Sequence, residues 1–251
     1  MLFRSQEAYG THFDSFMRHY LTVKTGEIPR LDDVYDAFKS YARQPAKAEA
    51  GVEALVREVR DHARFYCAMA LGAEKDKELA EAFHDLRELK VDVAYPFLLE
   101  LYRDHVDAQL PRTDLIEIVR LIEAYVFRRN VCAIPANSMN KTFATFGPAL
   151  KKDRYLESIK AHFLGMRSYR RFPTDEEFHR DLQTRDLYNF RSRSYWLGRF
   201  ENFGRRERVA VDDYTIEHIL PQNEALSVAW QSDIGPEWQR VQQTWLCSAI
   251  L

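Results

Sequence analysis

The sequence predicts a mainly α protein: a multi-helix bundle of about nine or ten helices, followed by one short β-hairpin near the C-terminus. Three observations lead there. Only nine glycines and nine prolines punctuate 251 residues, and the stretches between them are rich in Leu, Ala, Glu and Arg, residues that lose little on entering a helix. Apolar residues within those stretches recur at three and four positions, the spacing of one helix face. Alternating β-branched sequence appears in one place, after Gly204.

Taken in order, residues 5–22 and 31–42 read as helices, with "TGEIPR" as the turn between them. Residues 46–71 form a long helical pattern, with Val52, Leu55, Val56, Val59, Ala63, Phe65 and Tyr66 as its apolar spacing, ended by Gly72. Residues 75–89 are a charged helix with Leu79, Phe83 and Leu86 as its buried stripe. Pro96 fits the first turn of the next helix, where a missing N–H costs nothing. The clearest helix follows: Leu115, Ile118, Val119, Ile122 and Val126 repeat at three and four, with Thr113 as its expected cap. "AIPANSMNK" breaks it, and residues 140–164 read as two further helices. Thr174 and Glu177 are spaced as a capping box. Residues 193–203 predict a helix with Trp196, Leu197 and Phe200 in the core, and residues 236–246 a last one with Pro236 at its first position. The hairpin is expected over 208–211 and 214–219, joined by Asp212-Asp213. The change of texture puts a domain boundary near 205, with a helical domain over 1–204 and a small one over 205–251.

Composition is that of a globular chain, 46% hydrophobic and 29% charged, which excludes a disordered polymer. The net charge of −2 conceals an uneven distribution. Residues 1–110 carry 15 basic against 20 acidic side chains, residues 111–171 carry 12 against 5, and residues 172–251 carry 9 against 13. A basic middle could face nucleic acid; the same lysines and arginines could equally coat solvated helix faces. Cys67, Cys132 and Cys247 are far apart and form no C-x-x-C pair, so a cysteine zinc site is not expected and a reducing compartment is. "MLFRSQEAYG" is not a signal peptide, and no apolar run approaches the ~18 residues of a membrane span. The expectation is a cytoplasmic protein without a membrane partner.

The stretch "YTIEHILPQ", Tyr214 to Gln222, carries the most chemistry. A histidine with an ordinary pKa near ~6.5 suits general-base work, and His218 stands at the end of an expected strand beside Glu217. Deprotonating a water as it approaches phosphorus is within its reach. A Glu-His pair in a strand is also a common ion-pair member or core histidine. The candidate phosphate contacts are Arg128, Arg129, Lys141, Lys151, Lys152, Arg170 and Arg171. Arg128 and Arg129 also suit a helix C-terminus, with one of them packed beside the "IPANS" turn. In "RSYRRF", Tyr169 and Phe172 could stack on bases or pack on a helix face. Asn137 and Asn140 read as turn and cap residues, and the remaining histidines, His19 among them, as surface or satisfied ones. No Gly-rich phosphate loop appears, so nucleotide binding is not expected.

"YTIEHILPQ" resembles the signature that opens the C-terminal nuclease domain of GmrSD-type restriction endonucleases, an HNH-like member of the His-Me finger (ββα-metal) nucleases. Residues 125–143, "YVFRRNVCAIPANSMNKTF", and 195–213, "YWLGRFENFGRRERVAVDD", resemble the helical region before that domain, as do residues 20–42. The resemblance implies that His218 is the general base, that Glu217 binds or supports a divalent metal (Mg or Mn), and that Pro221 and Gln222 shape the following turn. It implies hydrolysis of DNA, with modified phage-type DNA as the biological substrate in phage defence, and an N-terminal nucleotide-binding restriction domain or subunit as partner. The family's aspartate-glycine-glutamine-glutamine-arginine motif is not present, nor is the glycine-asparagine-leucine segment after the histidine strand. The finger is therefore expected to be incomplete, a metal to be held weakly or not at all, and cleavage by this chain alone to be slight or nil. The other reading is a non-enzymatic helical module that binds DNA or a protein through residues 111–171.

Overall fold

The computed structural model describes residues 6–185, 189–211, 220–221 and 226–242, with side chains from residue 12 onward. Among these residues the fold is mainly α. In chain order the helices are α1 (Gln6–Thr25), α2 (Val34–Ala42), α3 (Pro45–Ala70), α4 (Lys77–Glu88), α5 (Tyr95–Val106), α6 (Arg112–Val131), α7 (Met139–Phe143), α8 (Phe146–Ala149), α9 (Tyr155–Gly165), α10 (Asp175–Leu182), α11 (Arg193–Glu201), α12 (Val228–Ile234) and α13 (Trp238–Gln242). They form two compact units. The first comprises residues 1–87, 91–124 and 136–171, and the second residues 88–90, 125–135 and 172–251. The boundary expected near 205 falls inside the second unit.

In the first unit α1 packs on α2, α3 and α5, and α5 packs on α3. Its core is built from the predicted stripes: Leu79, Phe83 and Leu86 of α4, and Leu115, Ile118, Val119 and Ile122 of α6, are all buried. Phe16, Tyr20, Tyr66, Met69, Leu98 and Leu99 fill the rest. Close-packed interiors tolerate charge only when it is paired, and three buried or half-buried networks meet that condition. The Arg120 Nη1 donates to Asp85 on α4 and to Glu123 on its own helix, both at 2.6 Å. Asp104 on α5 accepts from Tyr155 on α9 at 3.0 Å and pairs with Lys152 at 2.8 Å. Glu58 on α3 takes Lys24 of α1 at 2.7 Å and Lys47 at 2.9 Å. Burial would raise the Glu58 carboxyl, but these two lysines overcome it and hold it at about 2.

The second unit gathers the end of α6 with α10 and α11. Phe127 stacks edge-on against Phe178 (5.9 Å) and Tyr195 (5.0 Å), and Tyr125 lies 5.5 Å from Phe172. The capping box forms as expected: the Glu177 N–H donates to Thr174 Oγ1 (3.3 Å) and the Thr174 N–H to Glu177 Oε2 (3.1 Å).

Several expectations are corrected. No strand occurs among the described residues: 208–211 carry no regular element, while Asp212-Asp213 and 214–219 lie outside them. α6 begins at Arg112, so Thr113 sits inside its first turn and does not cap it; the Pro111 carbonyl instead accepts the Leu115 N–H at 3.1 Å. α3 is broken at Gly51, whose φ of 83° and ψ of 161° suit glycine and strain any side chain. Val52 and Val56 just after the break are exposed, so the apolar spacing there does not mark a core face. Phe200 is 55% exposed, and Tyr195 takes the core place expected for it. α12 was not foreseen.

Candidate functional site

Two places concentrate the functional signals, one in each unit. In the second unit, α11 prepares the approach to the Glu217-His218 motif. Its C-terminal cap, Asn202, holds the chain that returns along it. The Val209 N–H donates to Asn202 Oδ1 at 2.6 Å, and Asn202 Nδ2 donates to the Val209 carbonyl at 3.0 Å. This amide-to-backbone pair satisfies one residue of an otherwise irregular segment, as a strand neighbour would. Gly198 makes the close approach feasible, since a Cβ there would sit 3.1 Å from Val211 Cγ2. Beyond the motif, Leu220 is buried and the Pro221 carbonyl accepts from Gln242 Nε2 at 3.1 Å. Both ends of the segment are thus tied to the second unit. Glu217, His218 and Gln222 themselves lie outside the described residues. No group of three or more His, Cys, Asp or Glu that could hold a metal ion occurs among the described residues.

The seven basic candidates divide into those used internally and those left at the surface. Arg129 is almost fully buried, donating to Tyr125 Oη at 3.2 Å and to the Pro135 carbonyl at 2.8 Å. It is the arginine that packs beside the "IPANS" turn, and it has no route to a phosphate. Arg128 stacks on Phe172 and Phe178 and pairs with Asp175 at 2.5 Å. That contact, with the capping box, locks α10 onto α6. Lys152 is committed to Asp104. Arg170 lies over the half-exposed ring of Tyr169 at 5.5 Å, and Arg171 donates to the Ser168 carbonyl at 3.3 Å. Phe172 packs inward, whereas Tyr169 stays open. Lys141 and Lys151 remain exposed, with no ion pair among the described residues. Arg167, absent from the seven, shares that condition. Residues 136–171 carry eight basic side chains against two acidic ones, so this stretch is a strongly positive part of the first unit.

The second place is a cleft of about 330 Å³ in the first unit, walled by α1, the turn into α5, α5 itself, α7 and α8. Val93, Pro96, Phe97 and Phe143 make its apolar lining; Arg18, His19, Asp92, Glu100 and Asn140 are its polar groups. Burial holds the His19 imidazole down at about 4, with Asp92 raising it a little and Arg18 lowering it, so the ring is neutral near pH 7. Burial also pushes the Glu100 carboxyl up. His19 shows why sequence reading passed over it. It sits on the buried stripe of α1 between Phe16 and Tyr20, and its ring touches Tyr66 and Tyr95 like any core aromatic. Its place on an otherwise apolar face was the available signal. Asn140, expected in a turn, lies within α7 and faces the cleft.

No protein-family model matches this chain, and neither the curated proteins nor the solved structures compared with it give a match. Among the described residues no helix is long and apolar enough to cross a membrane.

Proposed function

We propose that this chain is a DNA-handling protein of the restriction-endonuclease kind, resembling the GmrSD type. In this reading a helical body binds the nucleic-acid backbone and a histidine-bearing segment attacks it. The observation that carries the reading is the pairing of the "YTIEHILPQ" sequence with the Asn202 clasp: a motif of hydrolytic chemistry is preceded by a segment fixed to α11 by two hydrogen bonds. A general base needs a defined distance to its water, and anchoring the chain on either side of it supplies that. The His218 side chain would take the proton from water, and Glu217 would support it or a divalent cation; a cation would neutralise charge on the phosphate.

Nicking of supercoiled plasmid in Mg or Mn tests the reading. Slow nicking that disappears in His218→Ala is the expected result. Nicking that survives the substitution overturns the assignment of His218.

A second reading, a DNA-binding helical module without catalysis, is favoured by one observation: Lys141, Lys151 and Arg167 are exposed on one basic stretch, with no ion pair among the described residues. Salt-sensitive DNA binding with no cleavage supports it.

A further inference from the structure

The cleft in the first unit contains charges of both signs that do not meet. Arg18 spends its Nε on the Pro29 carbonyl at 2.9 Å, and among the described residues no carboxylate lies within ion-pair distance of its guanidinium. Asp92 and Glu100 have neither an ion pair within 4 Å nor a side-chain hydrogen bond among the described residues, although Arg103, Lys152 and Lys24 act on Glu100 from further off. His19 is 8% exposed, faces the same space, and makes no side-chain hydrogen bond among the described residues. Elsewhere in this unit the buried and half-buried acids are matched closely, as Asp85, Asp104 and Glu58 show. Buried and half-buried polar groups left unmatched around a cavity of small-molecule size, here His19, Arg18 and Glu100 with the exposed Asp92 at the rim, mark a binding site.

Within the lining, two carboxylates face one guanidinium, which disfavours a phosphate or polyphosphate, and with it the DNA backbone. A simple organic acid would meet the same repulsion. An amine alone would leave Arg18 unmatched. A molecule bearing both an ammonium and a carboxylate matches all three charges, and a flank of apolar groups would lie on Phe97, Phe143 and Val93. We infer that this cleft binds a small zwitterion with an apolar flank, of the amino-acid type, its ammonium at Asp92 and Glu100 and its carboxylate at Arg18. His19, neutral, is placed to accept a hydrogen bond from the ammonium. The cleft lies wholly within the first unit, and the inference does not depend on the nuclease reading.

Calorimetric titration of the whole chain with L-phenylalanine, 2-phenylethylamine and 3-phenylpropanoate tests this, with circular dichroism confirming that each variant is folded. L-Phenylalanine should saturate the site and bind about tenfold more tightly than either single-headed analogue, the worth of one charged hydrogen bond. Asp92→Asn, an exposed and isosteric change, should weaken L-phenylalanine and the amine and leave the acid no weaker. Arg18→Gln should weaken L-phenylalanine and the acid and leave the amine no weaker. Three outcomes overturn the inference: no saturable binding by any probe, amine binding as tight as that of L-phenylalanine, or affinities indifferent to both substitutions.

Discussion

Asn202 and Val209 exchange two hydrogen bonds, the amide side chain of one answering both backbone groups of the other. Seven residues apart, they turn the end of α11 into an anchor for the segment that leads to His218. Asn202→Ala would leave both Val209 groups without a partner at a half-buried position, at a cost of about 1–3 kcal/mol. Urea unfolding should show that loss, and amide exchange at Val209 should accelerate. Asn202→Asp, which keeps the acceptor, should preserve much of the protection of the Val209 amide.

Arg120 is the sole cation bridging Asp85 and Glu123 among the ion pairs described, and both carboxylates are buried. Removing it takes away the cation that these two buried carboxylates share. Arg120→Met should destabilise the chain by about 3–5 kcal/mol. Circular dichroism melts should place it well below Arg120→Lys, which keeps a charge but cannot reproduce the planar donor.

Acid should destabilise the first unit in two stages. The folded-state value of His19, about 4, lies below its ordinary 6.5. Unfolded chains therefore take up more protons in that window, and stability falls as pH drops through it, by up to about 3 kcal/mol. Glu58 is held at about 2 against an ordinary 4.5, so its contribution is present above pH 4.5 and is lost as pH falls toward 2. Melting curves from pH 7 to pH 2 should show both windows. His19→Phe should reduce the upper one, to which His62 and His162, also lowered by burial, contribute, and leave the lower; Glu58→Gln should remove the lower and leave the upper.

Much of the helical order was legible because it rests on local signals. The stripes of α4 and α6 and the Thr174-Glu177 box are periodicity and capping, and both appear in the fold as read. Tertiary context decided the rest. Gly51 breaks α3 although the flanking spacing continues, since one glycine can take a conformation that strains other residues. Phe200 faces outward because Tyr195, not Phe200, packs against Phe127. One of Arg128 and Arg129 was expected to pack beside the "IPANS" turn, but no spacing reveals which; the Pro135 carbonyl takes Arg129. The cleft was invisible for a related reason. Its polar groups come from α1, α5, the turn between α4 and α5, and α7, and no linear motif joins them.

The measurement that bears most directly on the central claim, that this chain handles DNA, is fluorescence anisotropy of a labelled duplex in EDTA at about 50 and 200 mM salt. Binding should weaken steeply with salt and be lost when Lys141, Lys151 and Arg167 are together changed to Glu, in a protein that still melts cooperatively. Absence of binding at low salt, or equal binding by the folded triple variant, would contradict that claim.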